Sequence, residues 1–253
     1  MTTWRFLDSG HLPPSTNMAI DEALIEIYAS QRRPVFRIYG WQPPGFSIGC
    51  SQNAEAVLDL PACRRDGIPV VKRVTGGGII FHCREVTYSV VCSEVDIGSP
   101  ITVKHGYRTI CSFLLESYRH YGLNPCFSVD CRAGNKIRST FCFSSFEDYD
   151  ILIDGRKIGG NAQKWRRRII LQHGSIPLDM DFPSVQEYIR EPVSSAVGKT
   201  TSLKQSVGRE VTFDEFAGVM RESFCTAFDA RIEKKDLTAA EKQVVSKYEQ
   251  DKP

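Results

Sequence analysis

"DYDILIDGRKIGGNAQKWRRRIILQHGSIPL", residues 148–178, is the stretch on which the fold turns. Asp154–Gly155 stands between two β-rich runs, and Asp-Gly in that setting is the strongest short-range hairpin signal, because both residues tolerate φ > 0. In a two-residue hairpin of this kind Lys157 lies opposite about Leu152. Two more strands follow, the second holding "IILQHGSI". Strands that succeed one another without helices between them favour an α+β fold over a doubly wound sheet.

Further strands lie upstream. "PVFRIYGW" (34–41) and "GFSIGCSQ" (45–52) flank Pro43–Pro44–Gly45, "IPVVKRV" (68–74) runs into three glycines, and "EVTYSVVCSE" (85–94) alternates with period two. Helical patterning frames them. "PSTNMAIDEALIEIYASQ" (14–31) carries an apolar stripe with Ser15, Thr16 or Asn17 as candidate N-caps, and "VKHGYRTICSFLLESYRHYG" (103–122) repeats at 3.6 residues. "AEAVLDLPACRRDG" reads as a short helical segment, and a polar stretch runs from about Asn124 to Asn135. Helical pieces return in "SVQEYIR" and "TTSLKQSVG", then in "TFDEFAGVMRESFCTAFD", where Thr212 and Glu215 suggest a capping box. "LTAAEKQVVSKYEQDKP" reads as a charged helical tail, from about residue 236, that frays. The expectation is one catalytic domain over residues 1–253, built on a mixed, mostly antiparallel sheet flanked by helices.

Composition narrows the function. A chain of 253 residues with 42% apolar and 25% charged content is ordinarily globular, and a net charge of +2 is too small to make nucleic acid the main partner. No run of 18 apolar residues is present, which argues against a membrane span, and the N-terminus lacks a secretion-signal pattern. The nine cysteines are therefore expected as reduced thiols in the cytoplasm. Cys126 and Cys131 have no second closely spaced pair, so no metal site is expected.

Two glycine-rich stretches carry the chemistry. "RVTGGGIIFHCRE" (73–85) is neither a Walker loop nor a spaced dinucleotide fingerprint. A bulge or turn is one reading of Gly76–Gly78; the other is a cradle in which missing Cβ atoms let an anion or carbonyl approach the backbone. "GRKIGGNAQ" sets Lys157 two residues before Gly159–Gly160, which suggests a carbonyl or phosphate held by a cation against open backbone.

Taken together, "NMAIDEAL", "RIYGWQPPGFSIGCSQ", "RVTGGGIIFH", "DGRKIGGNAQ" and "LQHGSIPL" resemble the lipoate/octanoate protein ligase and transferase family, in matching order over roughly residues 4–230. The resemblance implies a catalytic domain like those of biotin and lipoyl ligases. It also implies attachment of lipoate or octanoate to a lysine of a small carrier domain. Ligases of the family use ATP and magnesium through an acyl-adenylate; its octanoyltransferases pass the acyl group through a cysteine thioester. "STFCFSSFEDYDILIDGRKIGG" resembles the latter, with Cys142 fifteen residues before Lys157. Cys83 stands where ligases commonly carry an acidic residue, and little chain follows "GSIPL" for an accessory domain. Gly78, in contrast, is ligase-like.

The expected reaction is thus octanoyl transfer from octanoyl-acyl carrier protein, through Cys142, to a lysine of a lipoyl domain or glycine-cleavage H protein, without metal, ATP or other cofactor. By resemblance the catalytic pair is Cys142 and Lys157. Arg73, Gly76, Gly77, Gly78, His82, Gly159, Gly160, Asn161 and Ala162 are expected to bind substrate. His82 and His173 also read as structural hydrogen-bonders, and Lys164–Arg168 as either a solvated edge or a dock for an acidic carrier. The alternatives are an ATP-dependent lipoate ligase, an octanoyl amidotransferase between carrier proteins, and a non-catalytic acyl-carrier-binding protein.

Overall fold

A computed structural model of the chain describes residues 2–98, 102–131, 147–181, 183–192, 194 and 197–251. The expected catalytic Cys142 lies outside the described residues.

The elements run β1 (Thr2–Leu12), α1 (Pro14–Gln31), β2 (Val35–Trp41), β3 (Gly45–Ile48), α2 (Ala54–Val57), α3 (Leu60–Arg65), β4 (Val70–Lys72), β5 (Ile80–His82), β6 (Glu85–Ser93) and α4 (Val103–His120). Then come β7 (Cys126–Phe127), α5 (Ser128–Cys131), β8 (Ile151–Ile153), β9 (Arg156–Lys157), β10 (Gly160–Arg166), β11 (Ile169–Pro177), α6 (Leu203–Val207), α7 (Phe213–Ala227), β12 (Ala230–Lys234) and α8 (Ala239–Asp251). Six strands form the main sheet in the order β10-β11-β6-β2-β1-β12. Its first four strands pair antiparallel, whereas β2, β1 and β12 run parallel. Two three-stranded sheets, β4-β3-β5 and β7-β8-β9, accompany it. The fold is α+β with a mixed sheet flanked by helices.

The Asp154–Gly155 hairpin forms as its residues require: both have positive φ, and Leu152 pairs with Lys157. Elsewhere local signals gave way. None of Ser15, Thr16 and Asn17 caps α1; Pro13 is the N-cap and Pro14 takes the first turn, where its missing N–H costs nothing. Asn17 instead turns inward, its Nδ2 donating to the carbonyls of Leu12 and Gly40. Thr212 does accept from the Glu215 backbone, but the Glu215 carboxylate is engaged by Arg209. The polar stretch after α4 holds β7 and α5, and Cys126 and Cys131, expected as reduced thiols, are joined in a disulfide. A strand followed by one helical turn brings their Cα atoms to 6.3 Å, within bridging reach.

β1 and the edge strand β12 have no counterpart in the sequence reading. Nor does the tail fray as expected: α8 packs on α1, Val245 is buried, and Glu241 forms a buried ion pair with Arg5 at 2.8 Å.

Side chains alternate across the main sheet, so its two faces differ. Phe36, Ile38, Tyr88, Val90, Cys92, Ile170 and Ile176 pack beneath α4 and α7 in one apolar core, where Phe36 stacks on Phe224 at 4.1 Å between ring centroids. The opposite face, beneath α1, is apolar at Val35, Val91 and Leu171. It turns polar at Arg37, Thr87, Ser89, His173 and Ser175, all buried.

Candidate active site

A cavity of about 410 Å³, its open mouth included, lies against that polar part. The floor comes from the main sheet: Gly160, Asn161 and Ala162 of β10; His173, Gly174 and Ser175 of β11; Thr87 of β6; Tyr39 and Trp41 of β2. The roof comes from the β4-β3-β5 region, with Ser47, Arg73, Gly76, Gly77, Ile80 and His82, and Met18 enters from α1.

Two buried carboxylates organise this chamber. Asp21 accepts from Arg37 Nη1 at 2.8 Å, Tyr39 Oη at 3.0 Å and Ser89 Oγ at 2.8 Å, and pairs with His173 Nδ1 at 3.1 Å. Burial works to raise its carboxyl, but the His173 hydrogen bond and the Arg37 guanidinium outweigh it and hold Asp21 below the usual carboxylate range. Burial pushes His173 below the ordinary imidazole value, against the upward pull of Asp21. A carboxylate can only accept, so Nδ1 of the neutral ring carries the proton and Nε2 accepts from Thr75 Oγ1 at 2.6 Å. Asp21 thereby reaches, through His173, the residue that precedes the triglycine.

Glu85 is the second centre. His82 Nδ1 lies 2.8 Å from its Oε1, Thr87 donates to the same oxygen, and Ser175 Oγ donates to Oε2 at 2.6 Å. His82 Nε2 meets Ser47 Oγ at 2.7 Å, and Ser47 Oγ also accepts from Arg73 Nη1 at 3.1 Å. The His82 ring stacks on Trp41 at 3.7 Å, and Trp41 Nε1 donates to Thr87 at 2.8 Å. Both ring nitrogens of His82 are therefore engaged within the wall.

Arg73 shapes the glycine loop. Its guanidinium donates to the carbonyls of Gly76 (2.8 Å) and Gly78 (2.7 Å), and Gly77 between them has φ +97°, where a Cβ would stand 2.8 Å from Arg73 Nη2. Across a trans peptide the N–H points opposite to the carbonyl, so the Gly77 N–H is turned away from Arg73. Gly76 and Gly77 line the cavity; the third glycine, Gly78, does not. Gly159, at φ +86°, is also absent from the lining, and a Cβ there would strike the Ser175 carbonyl. Its freedom serves the tight passage from β9 into β10.

Lys157 is 2% exposed, and its Nζ lies 2.8 Å from Asp150 Oδ2. Burying an ammonium demands such a counter-charge. Lys157 does not line the cavity; it stands three residues before Gly160, which does. Asp150 itself is positioned through the Ser128 N–H, which donates to its carbonyl, and the Glu147 N–H, which donates to its Oδ2.

Sequence reasoning missed Asp21, Glu85, Thr75 and Asp150. Two of these were readable. Asp21 shares the helical stripe of Met18, Ile25 and Tyr28, and a carboxylate in a buried stripe needs a partner. Glu85 begins the polar alternation Glu85, Thr87, Ser89 of β6. Among the described residues no cluster of His, Cys, Asp and Glu could hold a metal ion, and no helix is long and apolar enough to cross a membrane.

Comparison with known proteins agrees with this architecture. Octanoyltransferase LipM of Geobacillus kaustophilus is 38% identical over 267 residues, covering 98% of this chain and 96% of that protein. Octanoyltransferase LipM of Bacillus subtilis is 35% identical over 255 residues, covering 94% and 91%. A crystal structure of lipoate-protein ligase A bound with ATP superposes with a TM-score of 0.82 at 22% identity, over 99% of this chain and 95% of that one, a likeness of fold. Residues 13–225 match the family described as the lipoyl protein ligase A/B catalytic domain, and the chain belongs to that family.

Proposed function

We propose that the chain is an octanoyltransferase of protein lipoylation, acting as one catalytic domain in the cytoplasm. It takes octanoyl from octanoyl-acyl carrier protein and delivers it to a lysine of a lipoyl domain or glycine-cleavage H protein. The observation that carries this reading is the nearly full-length likeness to relatives named octanoyltransferases. The cavity supports it: its walls combine apolar side chains with bare backbone, suiting an alkyl chain that ends in a carbonyl.

In the proposed course the Cys142 thiolate attacks the donor thioester, the carrier thiol leaves with a proton, and an acyl-Cys142 thioester remains. Exchange of one thioester for another conserves the activated acyl group without ATP. The neutral ε-amine of the acceptor lysine then attacks the acyl carbon, the C–S bond breaks, and the amine gives up a proton as the amide forms. Lys157, anchored by Asp150, donates to the developing oxyanion, and the Gly77 N–H and the backbone at Gly160 offer further donors. Arg73 and His82 hold the wall that presents this backbone, while Asn161 and Ala162 continue the floor.

The test is intact mass after mixing the protein with octanoyl-acyl carrier protein, then adding apo-lipoyl domain, with and without ATP. Octanoyl is expected on the enzyme and then on the acceptor without ATP, and Cys142→Ser is expected to lose the enzyme adduct. Modification only from free octanoate with ATP would instead establish the ligase reading, which the ligase-like Gly78 favours. An adduct unchanged in Cys142→Ser would overturn the assignment of that nucleophile.

A further inference from the structure

One row of residues crosses the floor of the cavity. Gly160 pairs with Ser175, Ser175 with Thr87 and Thr87 with Tyr39, so four neighbouring strands contribute directly opposed positions. At about 4.8 Å per strand the row is about 14 Å long. It begins three residues beyond Lys157 and ends at β2; no residue of β1 or β12 lines the cavity.

An end wall stands at the β2 side. Met18, Tyr39 and Trp41 form a small apolar cluster of their own, separate from the larger cores, with Val71 packed against it. Two of the three are immobilised. Tyr39 Oη is held by Asp21, the Arg37 guanidinium sits 3.9 Å over its ring, and Trp41 is clamped by Thr87 and His82. Met18 is 5% exposed, and its thioether, unbranched with three rotatable side-chain bonds, is the adaptable member.

We infer that Met18 sets the acyl-chain length of this site, lying against the terminal methyl of a medium-chain acyl group laid across the strands. The inference rests on the proposed acyltransfer, since it takes the carbonyl to lie at the Gly160 end near Lys157. An all-trans octanoyl chain advances about 1.3 Å per bond and measures about 9 Å from carbonyl to methyl, given ordinary C–C bond lengths. The remaining ~5 Å of the 14 Å row is taken up by van der Waals contact with the bare Gly160 backbone at one end and by the Tyr39 and Met18 side chains at the other. Each added methylene must then push Met18 aside in a wall whose other members cannot move. One methylene in such a pocket is worth roughly tenfold or more in discrimination. Truncation to alanine removes Cγ, Sδ and Cε, space for two to three methylenes.

The experiment has two readouts. Calorimetric binding of free hexanoate, octanoate, decanoate and dodecanoate is measured for wild type, Met18→Ala and Met18→Val. Transfer from the matching acyl-carrier donors to lipoyl domain is measured as kcat/KM. Wild type is expected to prefer eight carbons over ten by tenfold or more, and Met18→Ala to reverse that order. Met18→Val, with its smaller volume change, is expected to shift the same way by less, and it keeps the test available should Met18→Ala fail to fold. An unchanged length profile in a folded Met18 variant overturns the inference, as does a wild type that binds all four acids equally or none. Length-selective binding without any transfer leaves the gauge standing and overturns the proposed function instead.

Discussion

The two faces of the six-stranded sheet are made by alternate residues of the same strands, yet they are built to different ends. Beneath α4 and α7, Phe36, Tyr88, Phe113 and Phe224 pack ring against ring, and the polar Tyr88 Oη and Gln172 hydrogen-bond to each other within that core. Beneath α1, the positions one residue along are Arg37, Thr87, Ser89, His173 and Ser175, tied to Asp21 and Glu85 around an open chamber. The first face supplies stability by removing apolar surface from water. The second spends buried polar groups on holding a shape, and that is affordable only because each has a partner. Stability and site geometry are thus carried by the same strands through opposite sides of the pleat.

Breaking each face should separate these roles. The largest effect is expected from Asp21→Ala, which strands the buried Arg37 guanidinium as well as Tyr39, Ser89 and His173; loss of one partner of a buried pair costs about 3–5 kcal/mol. Urea unfolding measures this loss, and octanoate calorimetry on the protein that remains folded is expected to show weakened binding as well. Unaltered octanoate affinity would mean that the Asp21 network does not shape the chamber.

Phe224→Ala, on the other face, opens a cavity of aromatic size and should cost roughly 3–4 kcal/mol in the same unfolding experiment. Octanoate affinity of its folded fraction is expected to match wild type. A tenfold loss of affinity would erase the distinction drawn between the faces.

The smallest effect is a pH dependence. Because burial lowers the His173 pKa, the unfolded chain takes up a proton near pH 6.5 that the folded ring refuses. The His173 contribution to stability is therefore fully present above about pH 7 and lost as pH falls below it, by at most about 1.4 kcal/mol per pH unit. Asp21, whose pKa is also lowered, contributes its own loss only under much more acidic conditions. Unfolding midpoints between pH 5 and 8 should decline towards acid in wild type and decline less in His173→Gln. Equal slopes in the two proteins would remove His173 as the source.

Much of the fold was legible because its signals are local. The Asp154–Gly155 turn set the register of β8 and β9 down to the pairing of Leu152 with Lys157, and period-two alternation marked β6. β1 and β12 were not, since "TTWRFLDSGHL" and "ARIEK" become strands by pairing with partners more than twenty residues away. The charged look of α8 concealed Glu241, whose burial depends on Arg5 at the far end of the chain. Of the candidate site, the glycines and Lys157 were visible as unusual residues in unusual places. Asp21 and Glu85 left only an indirect trace, in the apolar stripe of α1 and the alternation of β6, and Asp150 left none, because a carboxylate looks solvated until its partner is known.

The amino-acid sequence alone determined the family, most of the helices and the central strands, and the residue types available for acyl transfer, since turn chemistry, periodicity and motif order are properties of neighbours along the chain. Only the tertiary structure decided which of them meet. It joined Met18 to Tyr39 and Trp41, linked Asp21 through His173 to Thr75, and turned the Gly76 and Gly78 carbonyls onto Arg73. Burial, counter-charge and cavity shape arise between residues distant in sequence, and no local pattern records them.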